Sequence, residues 1–119
     1  MAWEVEHTDD FVDWWNALSE EEQASVDAKV RLLIEFGPAL GRPYADTLAK
    51  MSKHSNLKEL RVQHAGDAYR ILFAFDPRRV AILPLGGRKP DQNWYMDAVP
   101  RADRLYDEYL DELRKERLL

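Results

Sequence analysis

Apolar residues recur along this chain with two different periods, and each change of period marks a change of structure. Trp3-Glu4-Val5-Glu6 alternates apolar and charged positions, the period of a half-buried strand over residues 3–6. From Phe11 the interval lengthens. Phe11, Trp14, Trp15 and Leu18 recur at helical spacing, behind Thr8 as N-cap and with Asp9 and Asp10 at the positive end of the helix dipole. Ser19 and Glu22 then form an S-x-x-E capping box. Val26, Val30, Leu33 and Ile34 supply the stripe of a second helix, which Gly37-Pro38 ends. Residues 38–56 are a turn-rich connection with one short element near Asp46–Met51.

The period then drops to two. Over 57–62, Leu57, Glu59 and Arg61 share one face, and Lys58, Leu60 and Val62 the other. Ala65-Gly66-Asp67 supplies a hairpin turn. Residues 69–75 put Tyr69, Ile71, Phe73 and Phe75 on one side and Arg70, Leu72 and Ala74 on the other, so this strand is apolar on both faces and central. After the turn Asp76-Pro77-Arg78-Arg79, residues 80–85 return as a third strand, in which Pro84 implies an edge or a strand end. Gly86-Gly87 reads as a break that releases Arg88 and Lys89 into a loop. Pro100 stands where a first helical turn favours it, ahead of the stripe Ala102, Leu105, Tyr106, Tyr109 and Leu113 of a long C-terminal helix. The order β-α-α-β-β-β-α predicts one α+β domain over residues 1–119, a mainly antiparallel sheet covered by helices on one face.

Composition narrows the chemistry. There is no Cys, which removes a disulfide framework, a thiolate metal site and a cysteine nucleophile. His7, His54 and His64 are scattered, with no H-E-x-x-H spacing, and no P-loop, dinucleotide fingerprint or G-x-S-x-G occurs. Neither metal nor cofactor is therefore expected. The first ten residues carry four acids and no apolar secretory core, and no apolar run approaches the roughly 20 residues of a membrane span. A cytoplasmic protein without membrane contact is expected.

The net charge of −5 argues against independent binding to duplex DNA, which is driven by counterion release. The charge is unevenly spread, however: Lys50–Arg104 holds eleven Lys/Arg against six Asp/Glu, and the acids concentrate outside it. A cationic sheet carried by acidic helices suits a phosphate-bearing partner. Metal-free RNA cleavage needs only the substrate's own 2′-OH, a base, charge neutralisation at phosphorus and protonation of the leaving oxygen. Arginine forks clamp phosphate, lysine crowded by cations has a lowered pKa, and aromatic rings stack unpaired bases. Arg61, Arg70, Arg88, Lys89 and Tyr95 supply these residue types. Structural readings stand beside these: Arg70 pairs with Glu59 or Asp67, Lys58 and Arg61 flank Glu59 as an ion-pair row, Arg78 and Arg79 are solvated in their turn, and Trp94 with Tyr95 locks the last helix.

The runs RPYADTL at 42–48, HSNLKELR at 54–61, YRILFAFDPRR at 69–79, LGG-x-K at 85–89 and ADRLYDEYL at 102–110 together resemble the phage-derived, HigB-like branch of the RelE/ParE toxin superfamily. The resemblance covers nearly the whole chain. It implies a type II toxin encoded beside a helix-turn-helix antitoxin, and a ribosome-dependent endoribonuclease that cleaves mRNA in the ribosomal A site. By position it assigns Arg61 and Arg70 to the scissile phosphate, Arg88 or Lys89 to the cationic place after the last strand, Tyr95 to the downstream aromatic that stacks on the base, and Lys58 to a further phosphate contact; Arg78 is expected to bind substrate beside Lys58 and Arg88. His54 and Asn56 belong to the motif without a chemical role. Where this branch often reads Gly-Gly-Asp-Lys-Thr, the chain has Gly-Gly-Arg-Lys-Pro. Operator DNA is expected only through the antitoxin. Two alternatives share the fold, a ParE-like gyrase inhibitor that acts by binding and an inactive antitoxin-binding module.

Overall fold

The two-sided apolarity of residues 69–75 decides the architecture. A computed structural model of the chain describes residues 2–88 and 90–119. Its strands β1 (Val5–His7), β2 (Ala45–Thr47), β3 (Lys58–His64), β4 (Asp67–Phe75) and β5 (Ala81–Arg88) form one sheet in the order β1-β5-β4-β3-β2. The pair β1–β5 is parallel and the others antiparallel. Helices α1 (Asp9–Asn16), α2 (Glu20–Phe36) and α3 (Gln92–Lys115) complete it.

The α+β class is as expected, but the helices cover both faces of the sheet rather than one. Phe11, Val26 and Leu33 of α1 and α2 pack on Leu60, Val62, Tyr69, Ile71, Phe73, Ala81 and Leu83. Ala98, Val99, Ala102 and Tyr106 of α3 pack on Leu57, Leu72, Ala74, Ile82 and Leu85. The reason lies in β4, which would leave Leu72 and Ala74 wet under a single layer. Burying a side chain of leucine size contributes about 1.5–3 kcal/mol.

The local signals at the helix starts hold. Thr8 Oγ1 accepts from Phe11 N at 3.1 Å, and Ser19 and Glu22 exchange both bonds of the capping box. Ala65 and Gly66 both take positive φ (51° and 84°), the turn that matches hairpin twist between His64 and Asp67. The element expected near Asp46–Met51 is β2, pairing with Lys58–Leu60.

Three expectations about the second half are corrected. Pro84 is inside the sheet, between β1 and β4, rather than at an edge. It is tolerated because β1 pairs only as far as Leu83 and the β4–β5 register slips between Leu72 and Ala74, so no ladder requires its missing N–H. Gly86-Gly87 does not break β5; these residues pair with Ile71 and Arg70. Their role is clearance. A Cβ on Gly86 would lie 2.5 Å from the Trp14 ring, and one on Gly87 2.4 Å from the Trp94 ring. Pro100 lies within α3, which starts eight residues earlier because Asp91 Oδ1 accepts from Trp94 N at 2.8 Å.

Gly87→Val should therefore drive the Trp94 indole off the sheet. Overpacking of this kind costs about 1–3 kcal/mol, and a thermal melt should show Tm lowered by about 5–15 °C. An unchanged Tm would mean the indole has room to move.

Candidate functional site

Alternation along β3 and β4 brings Arg61 and Arg70 side by side. They are direct cross-strand partners, and Arg70 in turn faces Gly87 of β5. Both point to the α3 side of the sheet, at the end that the helix leaves open. Because α3 begins at Gln92, Tyr95 stands on its first turn and its hydroxyl reaches back to the same place.

The centre of the cluster is Glu59, two residues before Arg61 on the same face and only 5% exposed. Tyr95 Oη donates to Glu59 Oε1 at 2.5 Å. Arg61 Nε donates to Glu59 Oε2 at 3.1 Å, and its Nη2 reaches Asp46 Oδ2 at 3.3 Å. Arg42 also holds Asp46, whose carboxyl is kept below the usual range first by that hydrogen bond. Arg70 Nη1 donates to the carbonyl of Tyr69 at 3.0 Å. Its Nε is 3.6 Å from Glu59 Oε1, beyond hydrogen-bond reach, and is buried with no hydrogen-bond partner among the described residues. A buried donor left unmatched costs about 1–3 kcal/mol.

Burial pushes the Tyr95 phenol up to about 12, helped by the Glu59 carboxylate. The phenol keeps its proton at neutral pH and can only donate it. The cluster thus holds a carboxylate able to accept a proton, a phenol able to give one, and two guanidiniums able to face an anion.

The other expected site residues lie elsewhere. Lys58 shares the opposite face with Leu60 and Val62 and borders a hollow with Leu40, Gly41 and Arg42. Arg88 also belongs to that opposite face, beside its partner Tyr69. Its Nη2 contacts Asp67 Oδ2 at 2.6 Å, and its guanidinium lies 5.8 Å from the Tyr69 ring centre. Arg78, at the far end of β4, is tied to Asp76 (3.1 Å) and the Tyr109 hydroxyl (2.9 Å) rather than solvated. Lys89 lies outside the described residues.

Glu59 is the member that sequence reasoning treated only as an ion-pair partner. The available signal was an acidic residue set between Leu57 and Leu60 and in phase with Arg61. The motif residues His54 and Asn56 acquire a structural role. His54 Nε2 meets Asp107 Oδ1 at 2.8 Å, and Asn56 Nδ2 donates to the carbonyl of Phe75 at 2.9 Å. Together with the Ser52–Asp103 hydrogen bond they fasten the loop before β3 to α3 and to the end of β4. Among the described residues no group of acidic or histidine side chains is arranged to hold a metal ion, and no helix is long and apolar enough to cross a membrane.

On the α2 side, Glu22 Oε1 accepts from Ser19 N (2.9 Å) and Oε2 from the Tyr69 hydroxyl (2.5 Å). The Ser19 backbone donor first, then Tyr69, lower the Glu22 carboxyl to about 2. A carboxyl lowered on folding stabilises fully above its unfolded range, and that contribution is lost as pH falls through the folded value. Wild-type stability should fall between the ordinary glutamate range and about pH 2. Glu22→Gln should flatten this part of the curve in acid-unfolding experiments, and identical acid limbs would show that the carboxylate is not engaged in solution.

A family model described as phage derived protein Gp49-like matches residues 13–107. Two Mycobacterium tuberculosis proteins named as putative toxins are similar in sequence. HigB3 is 46% identical over 99 residues, 82% of this chain and 84% of that protein. HigB2 is 43% identical over 100 residues, 82% of this chain but 49% of that protein, so the chain spans about half the length of HigB2. A mutant of E. coli toxin RelE in the free state has a similar fold, with TM-score 0.63 and 17% identity, covering 85% of this chain and 98% of that one. The intact E. coli RelBE toxin–antitoxin complex contains a chain matching at TM-score 0.54 and 13% identity, covering 76% of this chain and 100% of that one. The archaeal RelE–RelB complex from Pyrococcus horikoshii gives TM-score 0.53 and 16% identity, covering 76% of this chain and 96% of that one. At these identities the three structures speak for the fold.

Proposed function

The chain belongs to the phage-derived Gp49-like family, and from that premise we propose that it is the toxin of a type II toxin–antitoxin pair, a ribosome-dependent mRNA endoribonuclease working in the cytoplasm. The observation that carries the reading is the convergence of Arg61, Arg70 and Tyr95 on the buried Glu59, beside the end of the sheet that α3 leaves open. The partner that silences it is a helix-turn-helix antitoxin, and the chain reaches operator DNA only through that partner. The similarity of its fold to a chain of the E. coli RelBE toxin–antitoxin complex supports such a partner.

The chemistry follows from the four side chains. A scissile phosphate enters between Arg61 and Arg70, drawing them from Glu59 and giving the unmatched Arg70 donor an acceptor. The freed Glu59 carboxylate takes the proton of the ribose 2′-OH. The 2′-oxygen bonds to phosphorus while the bond from phosphorus to the 5′-oxygen breaks, and the Tyr95 phenol protonates the departing 5′-oxygen. The products are a 2′,3′-cyclic phosphate and a 5′-hydroxyl. The protonated Glu59 and the Tyr95 phenolate then exchange a proton across their existing hydrogen bond, and the site is restored. No metal is required for this sequence.

Glu59→Gln keeps the size of the side chain and removes the base, so cleavage should slow by about 10²–10⁴-fold. Primer extension on mRNA after brief expression should show discrete cuts within translated frames for the wild type. They should be absent for Arg70→Ala and strongly reduced for Glu59→Gln, with melts confirming folded protein. Intact mRNA with growth arrest would replace this reading with a gyrase-type inhibitor. Intact mRNA with normal growth would leave an inert binding module.

A further inference from the structure

Beyond the reacting groups, the sheet continues as an uncovered cationic surface. Strand β2 is three residues long, and its side of β3 is covered only up to the bond from Arg61 N to the carbonyl of Tyr44 at 2.8 Å. Past that bond the floor is Arg61 and Gln63 of β3 and Ala68 and Arg70 of β4, where Gln63 and Ala68 are cross-strand partners. Pro43 and Tyr44 form a wall, and Lys29 and Val62 close the rim, leaving a groove of about 330 Å³. Such a volume is at the small end of ligand sites.

Its lining has a definite chemistry. Tyr44 is 41% exposed, and the Lys29 ammonium is 5.1 Å from its ring centre. Ala68 leaves the floor flat, and exposed Gln63 offers an amide that both donates and accepts. The inner end of the groove is Arg61 and Arg70 themselves. A flat ring, an adjacent amide and phosphate-facing guanidiniums at one end match a single nucleotide in splayed RNA. An added peptide strand fits less well, because the guanidiniums of Arg61 and Arg70 at the inner end call for an anionic group.

We propose that this groove seats the nucleotide adjoining the scissile phosphate, its base stacked on Tyr44 and its edge read by Gln63. The proposal rests on the ribonuclease reading above and extends it to a second subsite. Tyr44 acts here in binding and takes no part in proton transfer.

The test uses the full chain and ribosomes carrying in the A site a short mRNA made uncleavable by a 2′-deoxy residue at the scissile position, with 2-aminopurine beside it. Binding is followed by anisotropy and stacking by 2-aminopurine quenching. Tyr44→Ala should weaken binding by roughly 10- to 100-fold and abolish quenching, while Tyr44→Phe, which keeps the ring, should retain both. Unchanged binding and quenching in Tyr44→Ala, with binding lost in Arg70→Ala, would overturn the groove and leave the reacting site standing. RNA that binds neither wild type nor variants, or binds all alike, would overturn both readings. Tyr44→Ala that binds RNA normally but no longer co-purifies with a co-expressed antitoxin would make the groove a protein contact and overturn the proposal.

Discussion

Strand β4 buries Ile71 and Phe73 on one face and Leu72 and Ala74 on the other, so water must be kept from both sides of the sheet at once. That constraint accounts for the helices: the α1–α2 pair cannot wrap around the sheet, and α3 must supply the second layer. It also accounts for the glycines of β5, which let Trp14 and Trp94 approach the backbone closely. The site then appears where the second layer stops. Helix α3 covers the middle of the sheet and leaves the hairpin end of β3 and β4 open, with its own first turn supplying Tyr95 at the boundary.

Placing Glu59 at that boundary has an energetic consequence. A carboxylate this deeply buried is tolerated only with partners, and removing one partner of a buried pair is commonly worth several kcal/mol. Arg61, Arg70 and Tyr95 therefore hold Glu59 in the resting fold and are the same groups that would meet a phosphate. Their cationic charge is stored in ion pairs. This is how an acidic protein carries an arginine cluster without presenting an open field to every polyanion it meets.

Much of this was legible from the residues. Thr8, Ser19 and Glu22 announce the helices, and the double-faced pattern of residues 69–75 announces a central strand, because caps and alternation are local properties. Pro84 and Gly86-Gly87 misled, since each is a breaker by local rule excused by a tertiary arrangement, a slipped register and two indoles; Pro100 misled because the Asp91 cap starts the helix upstream of it. Of the site, alternation alone put Arg61 with Glu59. The helical position of Tyr95 is hidden because Pro100 suggests a first turn eight residues after the true start of α3, and the engagement of Arg78 with Asp76 and Tyr109 depends on contacts no spacing reveals.

The late position of α3 in the chain sets an order of assembly. Glu59, Arg61 and Arg70 emerge during synthesis well before Tyr95, and the face of Leu72, Ala74 and Ile82 stays uncovered until Ala98, Val99 and Ala102 arrive. A chain interrupted before that helix would have an exposed greasy sheet and a carboxylate lacking its phenol. Cover for the second face of the sheet and the phenol that holds Glu59 thus arrive together, on one helix.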